Sequence, residues 1–198
     1  GAAGAGDPPN VVFIVADDHG AWAMGCAGNP DARTPNMDRL AREGVRLTQC
    51  FTPTPVCSPS RVCLLASRYG FEVGIEDWLH PGKEPHHGLA PDAVVAWPRL
   101  LVERGYRTGL VGKWHLGLDE QFHPSKFGYQ YFMGFLEGGV KPKDPRLVVD
   151  GRLQQAAGFA VDLVGDDAVR FLQQARDRPF ALSVHFREPH AQIGRAHV

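Results

Sequence analysis

Hydrophobic positions fall into two kinds of run along the chain. Asn10-Val11-Val12-Phe13-Ile14-Val15-Ala16 is continuously apolar and rich in β-formers, the way a strand buried on both faces of a parallel sheet reads. Similar runs return at residues 106–111 and 179–186, and residues 45–51 predict one more strand. Between them the spacing is helical. Thr34 caps a helix that Pro35 opens, Met37, Leu40 and Ala41 stripe, and Gly44 ends. A second helix is expected over residues 97–104, with Pro98 near its start and Gly105 closing it. A third covers residues 159–176, where Val161, Val164, Ala168, Phe171, Leu172 and Ala175 share a face. Residues 137–157 are rich in Gly, Pro and charge and predict a short strand at most, over 146–150. Strands alternating with helices predict an α/β fold around a doubly wound, mostly parallel sheet.

Chemistry-bearing residues sit where these runs stop. The first strand breaks at Asp17-Asp18-His19-Gly20, at the carboxyl end where open α/β sheets bind ligands. Adjacent carboxylates repel unless a cation or turn compensates. A solvated turn and a pair of hard oxygen ligands for Ca²⁺ or Mg²⁺ both fit. The strand at 106–111 runs into Gly112-Lys113-Trp114-His115-Leu116-Gly117. On extended chain Lys113 and His115 share a face, as an oxyanion clamp with a proton-transfer partner or as a surface Lys beside a packed His. Val56-Cys57-Ser58-Pro59-Ser60-Arg61 precedes the apolar run at 62–66. Ser58 is the expected N-cap and Pro59 the first helical residue. Cys57 then stands before a helix N-terminus that favours an anion, and Arg61 can reach back over it. By itself the thiol reads first as a small buried hydrophobe and next as an activated thiolate.

In this order the segments resemble the type I, formylglycine-dependent sulfatases. Cys57-Ser58-Pro59-Ser60-Arg61 matches the Cys-x-Pro-Ser-Arg motif of that family. Asp17-Asp18-His19-Gly20, the stretch at 34–44, Gly112-Lys113-Trp114-His115-Leu116-Gly117 and Pro189-His190 match further segments, with His190 rather than His185 as the family histidine. The resemblance covers nearly the whole chain and implies an alkaline-phosphatase-like fold, incomplete here because the family is more than twice as long. It implies hydrolysis of sulfate esters. A formylglycine-generating or other sulfatase-maturing enzyme oxidises Cys57 to formylglycine, whose hydrate is the nucleophile. Asp17, Asp18 and the residue at 57 hold Ca²⁺ or Mg²⁺ together with a later Asp-Asn pair; a second sulfate-binding Lys also comes later. Arg61 and Lys113 neutralise charge, His115 orients the hydrate, and His190 helps the alcohol leave. The implied substrates are sulfated small molecules or carbohydrates, and the implied location is periplasmic, secreted or lysosomal. Phosphonate monoester and phosphodiester hydrolases share the motif and the aldehyde, so those activities, and an inactive truncated fragment, stand as alternatives. One departure is Leu65-Ala66-Ser67, where the family has Leu-Thr-Gly in the neighbourhood the maturing enzyme reads.

Composition narrows the partners. A formal charge of −1 over 198 residues offers no electrostatic case for nucleic acid. No run approaches the roughly 20 apolar residues that span a bilayer. Cys26, Cys50, Cys57 and Cys63 lack Cys-x-x-Cys spacing, which speaks against a zinc knuckle and leaves a Cys26–Cys50 disulfide open. The irregular stretch at 68–91 holds His80, His86 and His87, a metal cluster or, more commonly, surface histidines. Glu76, Asp77 and Trp78 in the same stretch are candidates for contacting the leaving group. Residues 1–9 are expected to be a flexible leader or signal-peptide remnant, and residues 10–191 the N-terminal part of a catalytic domain. Residues 192–198 can be encoded by a common sequencing-adapter string and are expected to be a non-native tail.

Overall fold

The protein is described by a computed structural model covering residues 8–82 and 86–190. The expected tail, and all of the leader except residues 8 and 9, lie outside the described residues. The ordered chain runs β1 (Val11–Asp17), α1 (Pro35–Glu43), α2 (Cys57–Ala66), α3 (Trp97–Glu103), β2 (Arg107–Lys113), β3 (Tyr131–Phe135), β4 (Arg146–Val149), β5 (Arg152–Gln155), α4 (Ala160–Gln174) and β6 (Phe180–Pro189). These strands form one sheet in the order β1-β6-β2-β3-β4-β5. The first four in that order are parallel, and β4 and β5 turn antiparallel.

Strand periodicity explains why the sheet is covered on both sides. Leu110 faces a core with Val62 and Leu65 of α2, Trp114 and Phe132. Its neighbour Val111 faces the opposite core, with Val164, Ala168 and Phe171 of α4 and Leu182 and Val184 of β6. Each large side chain so buried contributes about 1.5–3 kcal/mol. The centre of the sheet therefore takes its stability from helices on opposite faces, α2 over Leu110 of β2 on one side and α4 over β2 and β6 on the other. Among the described residues, no helix is long and apolar enough to cross a membrane.

Four local expectations need correcting. β1 is not buried on both faces: it pairs with β6 alone among the described residues, and Ile14 is 58 % exposed. Residues 45–51 join no ladder; Val45, Leu47 and Phe51 are exposed. The helix at the Cys57 motif starts two residues earlier than capping rules suggest. Val56 is the N-cap, Cys57 is the first helical residue, and Pro59 is the third, where its missing N–H still costs nothing. Ser58 is instead turned inward and fully buried. Finally, residues 137–157 hold two strands rather than one. Asp150 and Gly151 both take positive φ (50° and 73°) in the turn between β4 and β5, the geometry a two-residue hairpin requires.

Candidate active site

Three strand ends and one helix N-terminus build the site. β6 lies between β1 and β2 in the sheet, so Asp17 at the end of β1 and Lys113 at the end of β2 stand on either side of it. Lys113 Nζ reaches across and donates to Asp17 Oδ2 at 2.6 Å. Arg61, one turn into α2, ties all three strands together. It donates to the Lys113 carbonyl at 2.9 Å, to His185 Nδ1 of β6 at 3.0 Å and to Asp17 Oδ2 at 3.3 Å. Lys113 is 0 % exposed and Arg61 4 %. Gly112 permits this convergence: at its φ of +106° a Cβ would collide with the His185 carbonyl of the next strand.

Burial alone would raise the Asp17 pKa, but the Arg61 and Lys113 cations outweigh it and hold the carboxyl below its ordinary value. Burial pushes Arg61 and Lys113 down, and Asp17 opposes the shift in each. The carboxylate is the group these contacts secure in its charged form. His185 is pushed down to about 3 by burial and then by Arg61, so it is neutral. Its Nδ1 sits between Arg61, at 3.0 Å, and the Lys113 carbonyl, at 3.2 Å. His185 therefore orients Arg61, a positioning role that the family match did not assign.

His115 follows β2 with a left-handed backbone, φ +58°, and Asp18 follows β1 with φ +60°. Non-glycine residues are held there at some cost, characteristically at functional sites. His115 is pushed down to about 4, chiefly by burial and then by Lys113. Neutral His115 donates from Nε2 to the Leu79 carbonyl at 3.0 Å, leaving Nδ1 buried with no hydrogen-bond partner. Ser58 fastens the same corner: its hydroxyl donates to the His115 carbonyl at 2.9 Å and accepts from the Leu79 N–H at 3.1 Å. The buried serine thus couples the start of α2 to the loops that carry His115 and Trp78.

A cavity of about 540 Å³ opens over this corner. Of the residues singled out in the sequence, Cys57, Lys113, His115, Asp18 and His190 line it. Asp17 and Arg61 are not among its lining residues, and both contact Lys113, which is. His190 Nε2 is 3.5 Å from Asp18 Oδ2. Asp77 and Trp78 also line the cavity, and Glu76 does not. The His-rich stretch disperses: His80 stacks edge-on against Trp78, and His86 pairs with Asp119. Cys26 and Cys50 are free thiols, as are Cys57 and Cys63.

Two adjacent carboxylates are the right donor type for a hard divalent cation, which takes six or more oxygens. Among the described residues no group of three or more His, Cys, Asp or Glu side chains could hold one. Asp17 and Asp18 are thus a partial ligand set, with Asp17 already facing two cations.

The sulfatase family model matches residues 9–195. The chain belongs to the sulfatase family. It is 34 % identical over 183 residues to an N-acetylglucosamine-6-O-sulfatase of Bacteroides thetaiotaomicron, a match covering 92 % of this chain and 31 % of that protein. Two solved sulfatase-fold structures agree with it. One is Ps i-CgsB in complex with a neocarrahexaose (TM-score 0.86, 30 % identity, 92 % of this chain and 45 % of that one). The other contains D-glucosamine-2-N,6-O-disulfate as substrate (TM-score 0.78, 33 % identity, 92 % and 35 %). The fold of this chain is that of the alkaline-phosphatase-like sulfatases, and it spans less than half the length of each of these proteins.

Proposed function

We propose that the whole protein hydrolyses sulfate esters of carbohydrates, with residue 57 as nucleophile after oxidation of Cys57 to formylglycine. The observation that carries this reading is the position of Cys57 as first residue of α2, on the wall of the cavity that Lys113, His115, His190 and Asp18 also line. The carbohydrate preference draws support from the neocarrahexaose and the glucosamine disulfate in the two similar structures. Once converted and hydrated, residue 57 supplies a hydroxyl that attacks sulfur, dividing one difficult displacement into two easier steps. Asp17, Asp18 and residue 57 would hold Ca²⁺ or Mg²⁺, which supplies Lewis-acid stabilisation of a hydroxyl and of sulfate oxygens.

The other roles fall to side chains already placed. Lys113, buried in the floor and steadied by Asp17, offers a fixed positive charge to the sulfuryl oxygens. Arg61 acts from behind, holding Lys113 and Asp17 at their strand ends. Neutral His115, with its Nε2–H committed to Leu79, offers Nδ1 as an acceptor for the hydroxyl of residue 57. His190 holds the ester oxygen and passes a proton to the departing alcohol.

The test is made on the full-length protein co-expressed with a formylglycine-generating enzyme. The expected result is loss of the Cys57 thiol, appearance of an aldehyde there, and sulfate release from aryl or sugar sulfates. Cys57→Ala should lose turnover by several orders of magnitude with an unchanged circular dichroism spectrum. Sulfatase activity retained in that variant would overturn the nucleophile assignment.

A further inference from the structure

A second and larger cavity, about 760 Å³, adjoins the first, and the two share Glu137, Gly139 and Arg187 as a common border. Arg187 lies near the end of β6, two residues beyond His185, which orients Arg61, and three before His190. Its placement depends on the glycine pair opposite. A Cβ on Gly139 would press into the Arg187 guanidinium, 2.8 Å from its Cζ, and one on Gly138 would stand 2.8 Å from His115 Nε2. The Gly138-Gly139 backbone thus packs close against the Nε2 edge of the His115 ring at one residue and against the Arg187 guanidinium at the next.

The second cavity has the composition of a site for a charged sugar. Its apolar floor includes Leu136, Val140 and Val148, suited to the flat face of a pyranose. Its cations are Arg187, Lys141 and Arg146, against the carboxylates of Glu137 and Asp144. Asp144 is partly satisfied, since its Oδ1 accepts from the Gly158 N–H at 2.8 Å. A planar guanidinium at the border matches a sulfate or carboxylate in two-point geometry, which an ammonium cannot do as well.

We propose that Arg187 is a specificity-determining residue: it binds a second anionic group of the substrate, on the sugar next to the one carrying the scissile sulfate, and the adjoining cavity holds that sugar. The inference rests on the sulfatase reading above and names the substrate class more narrowly, as oligosaccharides with anionic groups on consecutive units.

The experiment compares full-length, matured wild type with Arg187→Ala and Arg187→Lys on two probes, a multiply sulfated neocarrageenan hexasaccharide and monosulfated N-acetylglucosamine 6-sulfate. Arg187→Ala should lower kcat/KM for the hexasaccharide at least tenfold more than for the monosaccharide, mainly through KM, and Arg187→Lys should recover part of the loss. Equal losses on both probes, or none on either, would overturn the proposal. Binding of the same probes is measured by calorimetry in the Cys57→Ala background, with and without Arg187→Ala, where the same tenfold difference in Kd is expected. If wild type releases no sulfate while the binding difference persists, the catalytic reading fails and the Arg187 assignment stands. If neither probe binds, both fall.

Discussion

The two walls of the 540 Å³ cavity are made differently. The inner wall is a buried, hydrogen-bonded cluster: Asp17, Lys113 and Arg61, with neutral His185, contact one another across three strand ends and α2. The outer rim is loop and border, with Trp78 47 % exposed and Gly138, Gly139 and Arg187 set against each other by close packing. Buried charges tolerate little variation, because removing one leaves the others unpaired in a low dielectric. Rim residues can change with little effect on the fold. Reaction type is accordingly built into the inner wall and substrate choice into the rim.

That contrast breaks most directly at Lys113. Lys113→Met should lower kcat about 10²–10³-fold, the range for loss of one preorganised charge-stabilising donor. It should also destabilise the full-length protein by about 3–5 kcal/mol, because Asp17 loses its closest partner. Adding Asp17→Asn should restore much of the stability and none of the turnover. Denaturant melts with steady-state rates check both halves. Recovery of activity in the double variant would mean that Lys113 serves only to neutralise Asp17.

A pH titration sharpens the same comparison. His115 and His185 are neutral in the fold, with pKa values pushed down to about 4 and about 3, whereas the unfolded chain takes up these protons near the ordinary histidine value. Between that value and the folded ones the unfolded state binds more protons, so stability must fall as pH falls. Each histidine contributes a slope of up to about 1.4 kcal/mol per pH unit. Replacing His185 by Gln should flatten the curve. A melt independent of pH from 7 to 4 would contradict the buried neutral assignment.

On the rim, Trp78→Ala should raise KM by roughly threefold to tenfold, the scale of one aromatic contact of about 1 kcal/mol, with stability nearly unchanged. A loss confined to kcat would move Trp78 from the rim to the reactive side. The smallest effect is expected at Ser67, which ends α2 with φ +53°. That left-handed position favours glycine, so Ser67→Gly should stabilise by about 0.5–1 kcal/mol. The Leu-Thr-Gly that the family carries at this point has a conformational reason here: its glycine would stand at the helix C-cap.

The helices at α1, α3 and α4 were legible because their caps and apolar stripes are local signals, and α1 matches its expected limits throughout. The β4–β5 hairpin carried an equally local signal, Asp150-Gly151 after the apolar run Leu147-Val148-Val149, which the charge of the surrounding stretch obscured. Ser58 misled capping rules because its hydroxyl serves two backbone groups from distant loops instead of the helix end. His185 has no local signal as a positioning residue. Only the pairing of β6 between β1 and β2 brings it to Arg61.

The residues themselves determined the alternation of strands and helices, the family, and which side chains carry the chemistry, because periodicity and short motifs are properties of neighbours in the chain. Tertiary structure alone decided strand order and the inward direction of Arg61. It also decided which groups face the cavity and which stand behind them. These outcomes depend on contacts between segments far apart in sequence, where burial and charge pairing, rather than local preference, set the lowest free energy.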